Sequence, residues 1–175
     1  MKTSKCIRTI VFIIFGISVL VGCNASETVT ERSTDTEIAE TVVDSDTEQA
    51  REVLETYLTA LHEGRYADAA ALYGGTYEAL HGMNPSVDRE DYSGLLTNAC
   101  EFNGYQCLAV HSVTLEEAVS PTEHVFLVEF VDNNGEVFRF TPPRGSSEEP
   151  RTQFPFTVVQ QNEVLQVLEL PQYMS

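Results

Sequence analysis

Apolar positions recur with one period in the first half of the chain and another in the second. Ala50, Val53, Leu54, Tyr57, Leu58 and Leu61 return at three- and four-residue intervals, which predicts an amphipathic helix. Ser45-Asp46-Thr47-Glu48 just before them fits a capping box, with Ser45 bonded to the N–H of Glu48 and Glu48 reaching back. Gly64 is placed to close that helix at its C-terminal end. Tyr66, Ala69, Ala70 and Tyr73 form a second, shorter apolar face, stopped by Gly74-Gly75. A third helical stretch is expected over Tyr77 to Met83, and a fourth over Arg89 to Ala99 with Tyr92, Leu95, Leu96 and Ala99 inward.

After Cys107 the period falls to two. Val110, Ser112, Thr114 and Glu116 alternate with His111, Val113 and Leu115, the mark of a strand. A second strand is predicted over Glu123 to Val131. Phe126, Val128 and Phe130 there alternate with Val125, Leu127, Glu129 and Val131, so both faces are largely apolar and the strand is central. Asp132-Asn133-Asn134-Gly135 marks a tight hairpin turn with a return strand over Glu136 to Thr141. Pro142 to Pro150 reads as a polar loop. Two last strands follow, Gln153 to Gln160 and Glu163 to Leu170, turning at Gln161-Asn162. Phe138, Phe140, Phe154 and Phe156 extend an aromatic stripe that is core, or else the wall of an apolar ligand pocket. Helices first and adjacent antiparallel strands after predict an α+β domain over 47–175.

The first residues have another character. Lys2, Lys5 and Arg8 precede an apolar run from Ile10 to Val21. A bilayer-crossing helix takes roughly 20 apolar residues, and this run is shorter. A basic start followed by a short apolar stretch is the pattern of a secretory signal peptide over 1–22. Its end, Leu20-Val21-Gly22-Cys23, resembles the lipobox of bacterial lipoproteins. That resemblance implies a diacylglyceryl group on the Cys23 thiol and cleavage before it, with lipid anchoring to the cell membrane on its extracytoplasmic face. The alternatives are an ordinary signal peptide with an incidental Cys, or a short anchor that is never cut. Two acyl chains suffice for stable anchoring, since each buried methylene contributes roughly 0.8 kcal/mol.

Charge sharpens this picture. Without residues 1–22 the chain has seven arginines, no lysine and 27 acidic residues, a net charge of −20. Such a surface repels nucleic acid, whose binding rests on Lys and Arg neutralising phosphates. It repels anionic headgroups equally. Residues 23–46 are mostly Thr, Ser, Glu and Asp without an aromatic residue, a composition that cannot offset chain entropy and reads as a disordered tether. As a flexible coil it spans roughly 25 Å. Cys100 and Cys107 are left as an even pair in an exported chain, which suggests a disulfide. Asn103-Gly104 between them can turn the chain back. Two free thiols or half of a metal site are the alternatives, and no His stands at zinc-ligand spacing.

The element order resembles the nuclear transport factor 2-like superfamily, also called the cone or cystatin-like α+β fold. The residues that carry this are Tyr57 to Ala70 at the entry, and Phe154-Pro155-Phe156-Thr157-Val158-Val159 with Val164 to Leu168 at the end. The resemblance covers about 47–170. It implies N-terminal helices packed on a curved antiparallel sheet of about four to five strands, with a pocket at the open end. Some members are isomerases or dehydratases, and others bind ligands or proteins.

Residues that could carry chemistry are few. Tyr57, on the inner face of the first helix, and His81 are the tentative pocket residues. His62 is expected on the polar side of its helix, His111 on a strand facing either layer, and His124 exposed at a strand start. No His-Glu-x-x-His motif, nucleophile elbow or phosphate-binding glycine loop occurs. Asp132 to Glu136 has its Gly fourth, where a calcium loop has it sixth. Glu116-Glu117 and Glu148-Glu149 read as loop or edge charges. No catalytic residue, metal or cofactor is assigned. The chain reads as an envelope lipoprotein whose domain binds an apolar ligand or an envelope protein. The alternatives are an isomerase- or dehydratase-like enzyme and an envelope assembly accessory.

Overall fold

A computed structural model describes residues 45–174. The expected signal peptide over 1–22, the expected lipidation site Cys23 and the expected tether up to residue 44 lie outside them. Helix α1 runs Ser45–His62 and α2 Tyr66–Leu72; α3 runs Glu78–Met83 and α4 Tyr92–Glu101. Strands β1 Ala109–Ser120, β2 Glu123–Val131, β3 Phe154–Gln161 and β4 Val164–Val167 follow. The class is α+β, with an open antiparallel sheet in the order β1-β2-β3-β4.

The helix ends follow local chemistry. Ser45 is the first residue of α1 rather than its cap, and its hydroxyl lies 3.4 Å from Asp46 Oδ1 instead of closing a capping box. Gly64 behaves as expected, at φ +74°. Its N–H reaches the Leu61 carbonyl (3.3 Å) and the Arg65 N–H reaches that of Ala60 (2.8 Å), the paired bonds of a Schellman ending. Helix α4 starts at Tyr92, three residues later than the expected Arg89. Asp91 caps it, accepting from the Gly94 N–H at 2.8 Å, so Tyr92 lies on the first, outer turn and is 44% exposed rather than inward. Leu95, Leu96 and Ala99 are buried as expected. The buried Asn84 ties α3 to α4, donating to the Leu80 carbonyl (2.8 Å) and accepting from Asn98 (3.0 Å).

The core lies between α1 and one face of the sheet. Ala50, Leu54, Tyr57, Leu58 and Leu61 are buried on α1. Facing them is every second residue of β2: His124, Phe126, Val128 and Phe130. Register continues this face across the sheet, with Phe126 opposite Phe156, Val128 opposite Phe154, and Val158 between His124 and Val167. The phenylalanine stripe is therefore core. His124 is the exception to its sequence reading. Strand alternation puts it on the inner face, so it is buried and stacked on Phe126 (6.4 Å), although it follows the polar Glu123.

Two features of the sheet depart from the sequence pattern. The turn at Asp132 forms, with Asp132 N–H bonded to the Glu136 carbonyl (2.8 Å), but the return strand does not. Against β2 that segment makes one bridge, Val131 with Val137, and one bond from Phe138 N–H to the Phe130 carbonyl, and Phe140 then pairs with Arg151 instead. The same edge of β2 is taken by β3 from Glu123 to Val128, so the chain must leave it, and Pro142-Pro143 cannot donate to a ladder. The last hairpin turns at Asn162-Glu163, one residue later than expected, with φ of 51° and 66°. Strand β4 is correspondingly short, ending at Val167.

Positive φ at both turn residues is the backbone of a type I′ hairpin, which favours Asn-Gly. Glu163 adopts it at a steric cost of roughly 1–2 kcal/mol, partly offset in any glycine variant by the entropy of the unfolded chain. Glu163→Gly is therefore expected to stabilise the domain by about 0.5–1 kcal/mol in urea unfolding. A loss of stability would show that the Glu163 side chain holds the turn.

Candidate functional site

The helical half gathers aromatic side chains into one array. Tyr57 comes from the buried side of α1, Tyr73 from the end of α2, Tyr77 from just before α3, and Tyr92 from the start of α4. Tyr57 and Tyr73 rings lie 6.1 Å apart and nearly parallel. Tyr73 meets Tyr77 edge-on at 4.9 Å, and Tyr77 stacks on Tyr92 at 4.5 Å. His81 is 6.5 Å from Tyr77. The rings thus run from the centre of the core to the surface.

Two of the four hydroxyls are bonded to backbone carbonyls. Tyr57 donates to the Glu169 carbonyl (3.2 Å) and Tyr73 to that of Thr76 (3.1 Å). The Tyr77 hydroxyl is buried without a partner. Burial is the main cause of a phenol pKa well above the ordinary value for Tyr57, reinforced by Tyr73, Tyr77 and Glu169. Burial likewise pushes Tyr73 up to about 12, and raises Tyr77. These phenols stay neutral in the folded state at neutral pH.

The tentative pair Tyr57 and His81 does not share a pocket. His81 lines an open depression of about 430 Å³ with Glu78, Asn84, Pro85 and Arg89. Tyr57 is wholly buried and belongs to the core, linked to His81 only through Tyr73 and Tyr77. His62 is exposed on α1, with Nδ1 3.1 Å from the Cys107 carbonyl, and His111 is exposed on β1. The buried His124 leaves Nδ1 without a partner.

Cys100 and Cys107 form the expected disulfide, with Cα atoms 5.5 Å apart. The loop it closes does more than turn. Gly104 sits at φ +85°, and any Cβ there would collide with the Met174 carbonyl oxygen. Met174 N–H bonds the Gly104 carbonyl (3.0 Å), Gln106 N–H bonds that of Gln172 (2.9 Å), and Tyr105 packs on Tyr173 (5.4 Å). The disulfide loop therefore clamps the segment after β4. Beside it lies another open depression of about 430 Å³, walled by His62, Tyr66, Glu101, Phe102 and Tyr105.

No group of three or more potential metal ligands occurs among the described residues, and none of their helices is long and apolar enough to cross a membrane. No protein-family model and none of the curated proteins compared with the chain matches it.

Two outcomes follow from this geometry. Replacing both Cys100 and Cys107 by Ser should cost about 2–3 kcal/mol, the entropy of an eight-residue loop. Proteolysis should then appear first within 101–107 and 171–174; unchanged stability would mean that the clamp holds without the bridge. The raised phenols contribute stability that is fully present below their ordinary pKa of 10. It is lost as pH rises towards about 12, the folded value for Tyr73. Phenolate absorbance should therefore rise together with unfolding above about pH 10. A smooth titration with circular dichroism unchanged would contradict the burial of these hydroxyls.

Proposed function

We propose that the chain is a bacterial lipoprotein, anchored through acyl chains on Cys23, that displays a non-catalytic binding domain at the extracytoplasmic face of the cell membrane. The domain is of the nuclear transport factor 2-like kind on this reading, with helices first and an antiparallel sheet after them. The placement of Tyr57 carries the non-catalytic part. A proton-transferring phenol in a ligand pocket must be free to meet the substrate, whereas this hydroxyl donates to a backbone carbonyl inside a filled core. The depressions around His81 and beside the disulfide are open to solvent, which suits contact with a surface better than enclosure of a small apolar molecule. The residues between Cys23 and the domain are mostly Ser, Thr and carboxylates, and like charge suits a domain that stands off anionic headgroups.

The anchor is tested directly. Cys23→Ala should abolish metabolic labelling by a fatty acid and move the protein from the membrane to the soluble fraction. Retention of both label and membrane association would remove the lipoprotein reading.

A further inference from the structure

The two faces of the sheet differ in what covers them. The inner face meets α1, with Arg51 over the Phe126 ring. The opposite face presents Val125 and Leu127 from β2, and Pro155 and Val159 from β3. Leu127 lies between Thr114 and Pro155, and Val125 between Glu117 and Thr157, so these side chains form one continuous patch. All four apolar residues are at least partly exposed, and none packs against the hydrophobic core.

Within the strands the charge beside the patch is of one sign. The four strands contain Glu116, Glu117, Glu123 and Glu129 and not one Lys or Arg. Glu129 is held by hydroxyls, Ser112 at 3.0 Å and Thr152 at 3.5 Å. Glu169, at the β3 edge, accepts from the Thr157 N–H (2.6 Å) and hydroxyl (2.8 Å). Neither carboxylate has a cationic partner among the described residues, whose ion pairs join Arg51, Arg65 and Arg151 to carboxylates outside the strands. An apolar centre within a polar, singly charged rim is the anatomy of a protein interface. Its occupant must bring positive charge. A second copy fails on that count, because residues 45–174 carry six arginines against 21 acidic residues.

We propose that this outer sheet face, centred on Leu127 and rimmed by Glu117, Glu123 and Glu129, docks a partner protein whose contact surface is apolar at its centre and rich in Lys and Arg at its edge. The proposal rests on the partner-binding reading of the domain and adds where and with what chemistry it binds. Neutral apolar contacts supply affinity, and the glutamates supply orientation and rate of encounter.

The test uses the full, lipidated chain in the cells that produce it, with a photo-crosslinking amino acid at Thr114 or Leu127 and, for comparison, at Asp88 before α4. The expected result is an adduct with another protein from the sheet positions and none from Asp88. Binding of that protein to the purified chain should weaken at least tenfold in 0.5 M salt or with Glu117→Arg and Glu123→Arg together, circular dichroism showing both variants folded. An adduct from Asp88 alone would overturn the sheet face while leaving partner binding in place. An adduct with a second copy, or binding indifferent to salt and charge reversal, would overturn the basic partner. No adduct at any position would overturn the face and the partner-binding reading together.

Discussion

The contact between α1 and the inner face of the sheet is the interaction on which the other elements depend. Helix α1 is the one helix that touches all four strands. Leu54, Tyr57, Leu58 and Leu61 meet phenylalanines and valines from β2 and β3, and each such large side chain stabilises by roughly 1.5–3 kcal/mol when fully buried. Without α1 the sheet has no cover for this face. Without the sheet α1 is an isolated amphipathic helix, marginal in water at this length.

Everything else in the helical half is arranged around that contact. Helix α2 packs on α1 and α4 and ends at Tyr73, which bridges to Val167 of β4. Tyr77 and Tyr92 then continue the rings outward, and the Asn84–Asn98 bond fixes α3 on α4. The disulfide loop after α4 holds the end of the chain. Tyr57 thus fills part of the core between α1 and the sheet, and the depressions described above are open at the surface.

Much of the fold was legible in the residues. Helical spacing located α1, α2 and α3, and alternation located β2 with its central place, because periodicity reports burial directly. The disulfide could be read from two cysteines left over once Cys6 and Cys23 are assigned to the expected export signal. The candidate site was less legible. Tyr57 is inward by its spacing, yet whether an inward tyrosine lines a cavity or fills the core depends on what stands opposite, here Tyr73 and the Glu169 carbonyl. Tyr92 fits a helical stripe, but Asp91 starts the helix only there and leaves it outside. His124 sits beside Glu123 and looked polar, while strand alternation put it in the core.

The sequence by itself determined the class of fold, the order of its elements, the cysteine pair and the acidic character of the chain, because each depends on neighbours within a few residues or on composition alone. Only the tertiary structure decided which strand took the second edge of β2. Glu136 to Thr141 reads as its hairpin partner and Gln153 to Gln160 only as a later strand, and an edge has room for one ladder at a time. It also decided that one face of the sheet is covered by α1 and the other is left with Val125 and Leu127 among glutamates. Alternation divides a strand into two faces, but says nothing of which face the helix takes.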